Sequence, residues 1–113
     1  MKFTQPFTLR SGVILKNRVL MAPMTISSSQ ANGDVTADEL AYYHRRAKSG
    51  IGAVITACAA INKLASGFTN SIGAESDDRL ESLKRLAQSI QTGGAKAILQ
   101  IYHAGRMSNS KLL

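Results

Sequence analysis

Three apolar runs separated by two amphipathic segments limit most strongly what this chain can fold into. The runs are RVLMAP at 18–23, AVITACAAI at 53–61 and AKAILQIY at 95–102. Each is apolar along its length, which is typical of strands buried on both faces of a parallel sheet. Strands that alternate with helices are joined by right-handed crossovers, so we predict an α/β fold with three parallel strands.

The two intervening segments predict helices with clear ends. Thr36 and Glu39 form a capping-box pattern at the start of the first helix, and Gly50 follows its basic last turn. The second helix is expected over 77–92, where apolar residues recur at helical spacing, and Gly93 follows it.

A hairpin is predicted before the first strand, at 7–15, with Gly12 supplying the backbone conformation of its turn. The loops after the first two strands are long, whereas the turns that enter the second and third strands are short and glycine-rich. Since α/β folds place their sites at the carboxyl ends of the strands, we expect the functional residues there.

Composition excludes several classes of protein. The net charge is +7, but the 14 basic residues are scattered and only Arg45 and Arg46 are adjacent, which argues against a nucleic-acid partner. No apolar run approaches the roughly 18 residues of a membrane span, so no membrane partner is expected. The chain begins without the apolar core of a signal peptide and has one cysteine, so we expect a cytoplasmic protein without an intrachain disulfide.

The first strand ends in a small, flat surface. Proline and alanine there leave room for a planar ligand against the backbone, and a hydroxyl can donate or accept a hydrogen bond. These residues are Ala22, Pro23, Met24 and Thr25. The structural alternative is a strand end closed by proline, with Met24 filling the core.

The second strand ends among small side chains, with Cys58 at the centre of 56–60. They make room either for a ligand or for close packing by a helix. Cys58 could act as a nucleophile, but neither a helix N-terminus nor a cation lies near it in the sequence to activate its thiol, so a buried, inert thiol is the favoured interpretation.

The third strand leads into Gln100, His103 and Arg106. Gln100 can offer a donor and an acceptor to an imide-like edge, His103 can serve as an acid or a base, and Arg106 can bind an anion. A structural histidine and a local ion pair are the alternatives for the last two. No GxGxxG fingerprint is present, and neither histidine has neighbours spaced as metal ligands, so no metal is predicted.

Three phrases together resemble the opening third of the old yellow enzyme family, the NAD(P)H-dependent flavin oxidoreductases. They are NRVLMAPMT, VTADELAYYHRRAKSGIGAVIT and GGAKAILQIYHAGR, in the family's order and spacing. The resemblance implies a (β/α)8 TIM barrel whose bottom is closed by a hairpin. It also implies FMN as cofactor and NADH or NADPH as reductant, with hydride passing through flavin N5 to an activated alkene.

The same resemblance assigns cofactor contacts position by position. It implies that the segment from Ala22 to Thr25 lies beside the isoalloxazine, with Thr25 near flavin O4. Cys58 falls near the pyrimidine end, and Gln100 matches a glutamine that contacts the pyrimidine edge. His103 and Arg106 match the motif as supporting residues.

A complete barrel of this type needs about 250 residues, so the resemblance implies that residues 1–113 are the N-terminal part of one FMN-binding domain. The substrate-binding and catalytic residues are then expected beyond this chain, which alone should be inactive. The alternatives are a small α/β interaction module that self-associates through open sheet edges, a different barrel reductase, or a basic nucleic-acid module. Exposed strand edges also favour a homo-oligomer.

Overall fold

A computed structural model of the protein describes residues 1–108 and 110–112. The strands are β1 (Phe7–Thr8), β2 (Ile14–Leu15), β3 (Leu20–Met21), β4 (Ala53–Ala60), β5 (Ile72–Gly73) and β6 (Lys96–Tyr102). The helices are α1 (Ala37–Ala47) and α2 (Leu80–Thr92). Short 3-10 turns cover Lys2–Thr4, Lys63–Ala65, Asp77–Arg79, Gly105–Met107 and Ser110–Leu112.

The central sheet is parallel, which confirms the predicted α/β arrangement. β3 pairs with the first residues of β4, β5 pairs with its last residues, and β6 runs along its other edge. Helices α1 and α2 pack against each other and against the sheet. The core between these layers contains Tyr43, Val54, Leu86 and Ile90.

The ends of α1 follow from its sequence. The Thr36 side chain accepts a hydrogen bond from Glu39 N, and the Glu39 carboxylate accepts one from Thr36 N, which confirms the capping box. The predicted hairpin is also confirmed: β1 and β2 are antiparallel, and Gly12 turns between them at φ +90°.

The prediction that all three apolar runs form strands buried on both faces was wrong for two of them, and the first run forms only the two-residue strand β3. β4 is buried along nearly its whole length, but Leu20 in β3 is 41% exposed and Ile101 in β6 is 69% exposed. β3 and β6 lie at the edges of the sheet, and within the described residues each pairs only with β4. Fewer neighbours therefore cover their side chains.

The loop from 61 to 76 contains β5, which the sequence did not predict. β5 is held to the other long loop, because Gly73 N donates a hydrogen bond to Gly33 O at 2.9 Å. Arg79 adds ion pairs to Asp34 at 2.6 Å and to Glu75 at 3.2 Å. The two long loops are thus tied together beside the carboxyl end of β4.

Candidate functional site

Three of the predicted site residues come together on β4 and its two neighbours. The Thr25 hydroxyl lies 3.5 Å from the Cys58 sulfur, although Thr25 is beyond the end of β3. On the other side of β4, Cys58 stands opposite Gln100 in the parallel ladder. Because paired residues of adjacent strands point to the same face, these three residues form one group, which we call the strand-end cluster.

The strand-end cluster combines a side-chain amide that can form hydrogen bonds with a small buried side chain beside it. Gln100 is half-buried, and within the described residues no hydrogen bond to its side-chain amide is found, only one from its backbone nitrogen. Its amide therefore retains donors and an acceptor for a ligand. Cys58 is 4% exposed and free, as expected for a buried thiol, and the Thr25 side chain is exposed.

Ala22, Pro23 and Met24 connect β3 to Thr25 and are exposed. Met24 in particular is 50% exposed, so it does not fill the core of the described structure. An exposed, small segment next to Thr25 leaves a surface against which a planar group can lie.

His103 and Arg106 are not part of the strand-end cluster. The Nδ1 atom of His103 accepts a hydrogen bond from Gly105 N at 2.9 Å, and both side chains are exposed. Arg106 lies in the turn Gly105–Met107, which follows β6. The local bond gives His103 a role in shaping this turn.

Two residues that the sequence did not indicate hold the backbone beneath the cluster. Ala57 N donates a hydrogen bond to the Tyr43 hydroxyl at 2.7 Å, and Gln100 N donates one to Thr56 Oγ1 at 3.3 Å. Tyr43 and Thr56 are both buried. Desolvation raises the pKa of Tyr43 to about 12, so its hydroxyl stays neutral over the physiological range. No local sequence signal marks these contacts, since they join residues far apart in the chain.

A separate pocket lies beside the loops that follow β4. Its volume is about 460 Å³, and its walls include Lys63, Phe68 and Arg79 but none of the strand-end cluster. Its lining residues include two cations, Lys63 and Arg79, and one carboxylate, Glu75, and Arg79 is already ion-paired with Glu75 and Asp34. The strand-end cluster therefore lies outside this pocket.

Within residues 1–108 and 110–112, no group of three or more histidine, cysteine, aspartate or glutamate side chains is arranged to hold a metal ion. In the same part of the chain, none of the helices combines the length and apolar character that crossing a membrane requires.

Comparison with known proteins shows the family of the chain. The model of the NADH:flavin oxidoreductase / NADH oxidase family matches residues 2–113. The chain belongs to this family. Flavin and NAD(P)H are thus confirmed as the cofactor and reductant of the family to which the chain belongs.

Relatives of known sequence agree with this assignment. The chain is 44% identical over 112 residues to the NADH:fumarate oxidoreductase of Klebsiella pneumoniae (strain 342), covering 99% of this chain and 12% of that protein. It is 41% identical over 109 residues to the probable NADH-dependent flavin oxidoreductase YqiG of Bacillus subtilis (strain 168), covering 96% of this chain and 29% of that protein.

The fold is that of the old yellow enzymes. The old yellow enzyme homologue from Zymomonas mobilis superimposes with a TM-score of 0.90 at 26% identity, over 99% of this chain and 31% of that one. The predicted fold class, a partial (β/α)8 barrel, is confirmed. The chain spans about a tenth to a third of the proteins that it matches.

Proposed function

We propose that residues 1–113 form the N-terminal part of one FMN-binding TIM-barrel domain, in a protein that reduces activated alkenes. When bound, FMN supplies a hydride acceptor and donor that connects NADH or NADPH to the β-carbon of the alkene. The observation that carries the proposal is the convergence of Thr25, Cys58 and Gln100 at the carboxyl ends of parallel strands in a member of this family.

The residues present fit a flavin. Gln100 offers an amide with no hydrogen-bond partner found among the described residues, which suits the alternating donors and acceptors of a pyrimidine edge. Thr25 would contribute its hydroxyl near O4, and the small segment Ala22–Met24 would lie against the ring system. Cys58, too buried to attack a substrate, would form part of the floor.

His103 and Arg106 act as supporting residues in this proposal. They lie just beyond β6, and the turn they share would shape the rim of the cofactor site. The residues that bind the substrate and donate the proton to the α-carbon are assigned to parts of the domain beyond this chain.

The complete polypeptide should be purified under conditions that retain flavin. Flavin released by heat and identified by chromatography should be FMN. Anaerobic NADH or NADPH should bleach its visible absorbance, and an enone should restore it. A protein without FMN, or flavin that no nicotinamide reduces, would refute the proposal, and residues 1–113 alone should show no turnover.

A second candidate, self-association, is favoured by apolar side chains on β6. Leu99 and Ile101 share one face, and Ile101 is 69% exposed. In the proposed domain these side chains would be covered by further elements of the barrel. In residues 1–113 alone they would associate with a second copy, so sedimentation velocity should show a concentration-dependent oligomer for the isolated piece. A concentration-independent monomer would count against this candidate.

A further inference from the structure

β4 contains one more residue than β6 in the stretch that ends at the strand-end cluster. Ile55 pairs with Ile98, but the next pair is Cys58 with Gln100, so three steps along β4 match two along β6. An extra residue of this kind is a β-bulge, and it reverses the alternation of side chains beyond it. In an unbroken ladder Ala57 would stand opposite Gln100, and Cys58 would point to the opposite face.

The bulge is held by two buried hydroxyls. The Tyr43 hydroxyl accepts from Ala57 N at 2.7 Å, and Thr56 Oγ1 accepts from Gln100 N at 3.3 Å. Tyr43 is fully buried and Thr56 is 2% exposed, so water cannot readily replace either group. A buried amide without a partner costs about 1–3 kcal/mol, which makes the Tyr43 hydroxyl a strong determinant of the local backbone.

We propose that Tyr43 is a positioning residue for the flavin site: by accepting the Ala57 amide it fixes the bulge that turns Cys58 to the face shared by Thr25 and Gln100. The inference rests on the proposed function, because it concerns the residues that would contact FMN. Tyr43 acts through the backbone of β4 and touches no ligand itself.

The test is Tyr43→Phe in the complete, flavin-loaded polypeptide, with Tyr42→Phe as the matched control. Tyr42 is the adjacent tyrosine, its ring packs under Arg46 at 3.4 Å, and no hydrogen bond to its hydroxyl is found within the described residues. For Tyr43→Phe we expect FMN affinity to fall by about tenfold, the equivalent of 1.4 kcal/mol, and the midpoint potential of the bound flavin to move. Tyr42→Phe should change neither.

A second measurement tests the stability of the bulge in the absence of flavin. Hydrogen exchange of the peptide that contains Ala57, followed by mass spectrometry on the flavin-free polypeptide, should be at least about tenfold faster in Tyr43→Phe and unchanged in Tyr42→Phe. Faster exchange with an unchanged potential and affinity would overturn the proposal. So would an altered potential with unchanged exchange, because the effect would then not pass through the bulge.

If Tyr43→Phe does not fold, a pair of variants at Thr56 decides. Thr56→Val removes the acceptor for Gln100 N, whereas Thr56→Ser keeps it. The proposal expects the valine variant to bind FMN more weakly and the serine variant to bind it like the wild type, and equal behaviour of the two would overturn it. A wild-type polypeptide that binds no FMN refutes the proposed function, whereas wild-type FMN binding that Tyr43→Phe leaves intact refutes only this inference.

Discussion

Gln100→Ala in the complete polypeptide tests whether Gln100 contacts the flavin or only supports the fold. Gln100 lies on β6 opposite Cys58, and its backbone nitrogen is already bonded to Thr56. The substitution removes the side-chain amide together with one methylene and leaves the backbone ladder of β4 and β6 in place. Its effect should therefore appear in cofactor binding more than in folding.

The expected magnitude follows from the hydrogen bonds that the amide can make. One donor and one acceptor directed at the pyrimidine edge would each contribute a net of about 0.5–1.5 kcal/mol to FMN binding, because each group gives up a hydrogen bond to water when it bonds to the flavin. Loss of both corresponds to about 1–3 kcal/mol, or roughly 5- to 150-fold weaker FMN binding. Global stability should change little, since no side-chain bond is lost within the described residues.

The assay is equilibrium titration of the flavin-free polypeptide with FMN, followed by quenching of flavin fluorescence. Gln88→Ala is the matched control, because Gln88 is an exposed glutamine on the outer face of α2. The control should bind FMN like the wild type. Equal dissociation constants for Gln100→Ala and wild type would show that Gln100 does not contact the flavin.

Three further predictions concern packing and pH. Gly93→Ala should lower the free energy of unfolding in urea by about 1–2 kcal/mol, because the added Cβ would lie 2.6 Å from the Cβ of Ala47. The double variant with Ala47→Gly should recover part of that loss. If the effects of the two substitutions simply add, there is no clash between them. Gly33→Ala should cost about 1–3 kcal/mol more than Gly12→Ala, since both have positive φ but only at Gly33 does the new Cβ meet backbone, at 2.9 Å. The pKa of Tyr43 is about 12 in the folded protein against 10.0 for an unperturbed tyrosine, so its contribution to stability is complete below pH 10 and is lost as the pH rises to 12. In Tyr43→Phe the free energy of unfolding should therefore fall less between pH 10 and pH 12. The same pH dependence in wild type and variant would argue against the raised pKa.

The order of elements was predictable from the sequence because it depends on local patterns. The capping box at Thr36 and Glu39 and the apolar spacing of α2 are signals that act within a few residues. Apolar strands between such helices leave few arrangements other than a parallel sheet. The three sequence motifs that resemble the family then predicted the barrel and the FMN cofactor.

The remaining features depend on contacts that no local pattern records. β5 is two residues long and forms only because Ile72 and Gly73 meet the end of β4. The bulge beneath Cys58 depends on a hydroxyl from α1, 14 residues earlier in the chain than Ala57. The exposure of Ile101 on an edge strand follows from how many strands surround it, which an apolar sequence alone does not specify.

The most direct test of the central claim is the crystal structure of the complete polypeptide with its flavin bound. The account predicts that the pyrimidine edge of FMN lies within hydrogen-bonding distance of the Gln100 side chain, with Thr25 beside the ring and Cys58 beneath it. Flavin bound at a site that contacts none of these three residues would contradict it.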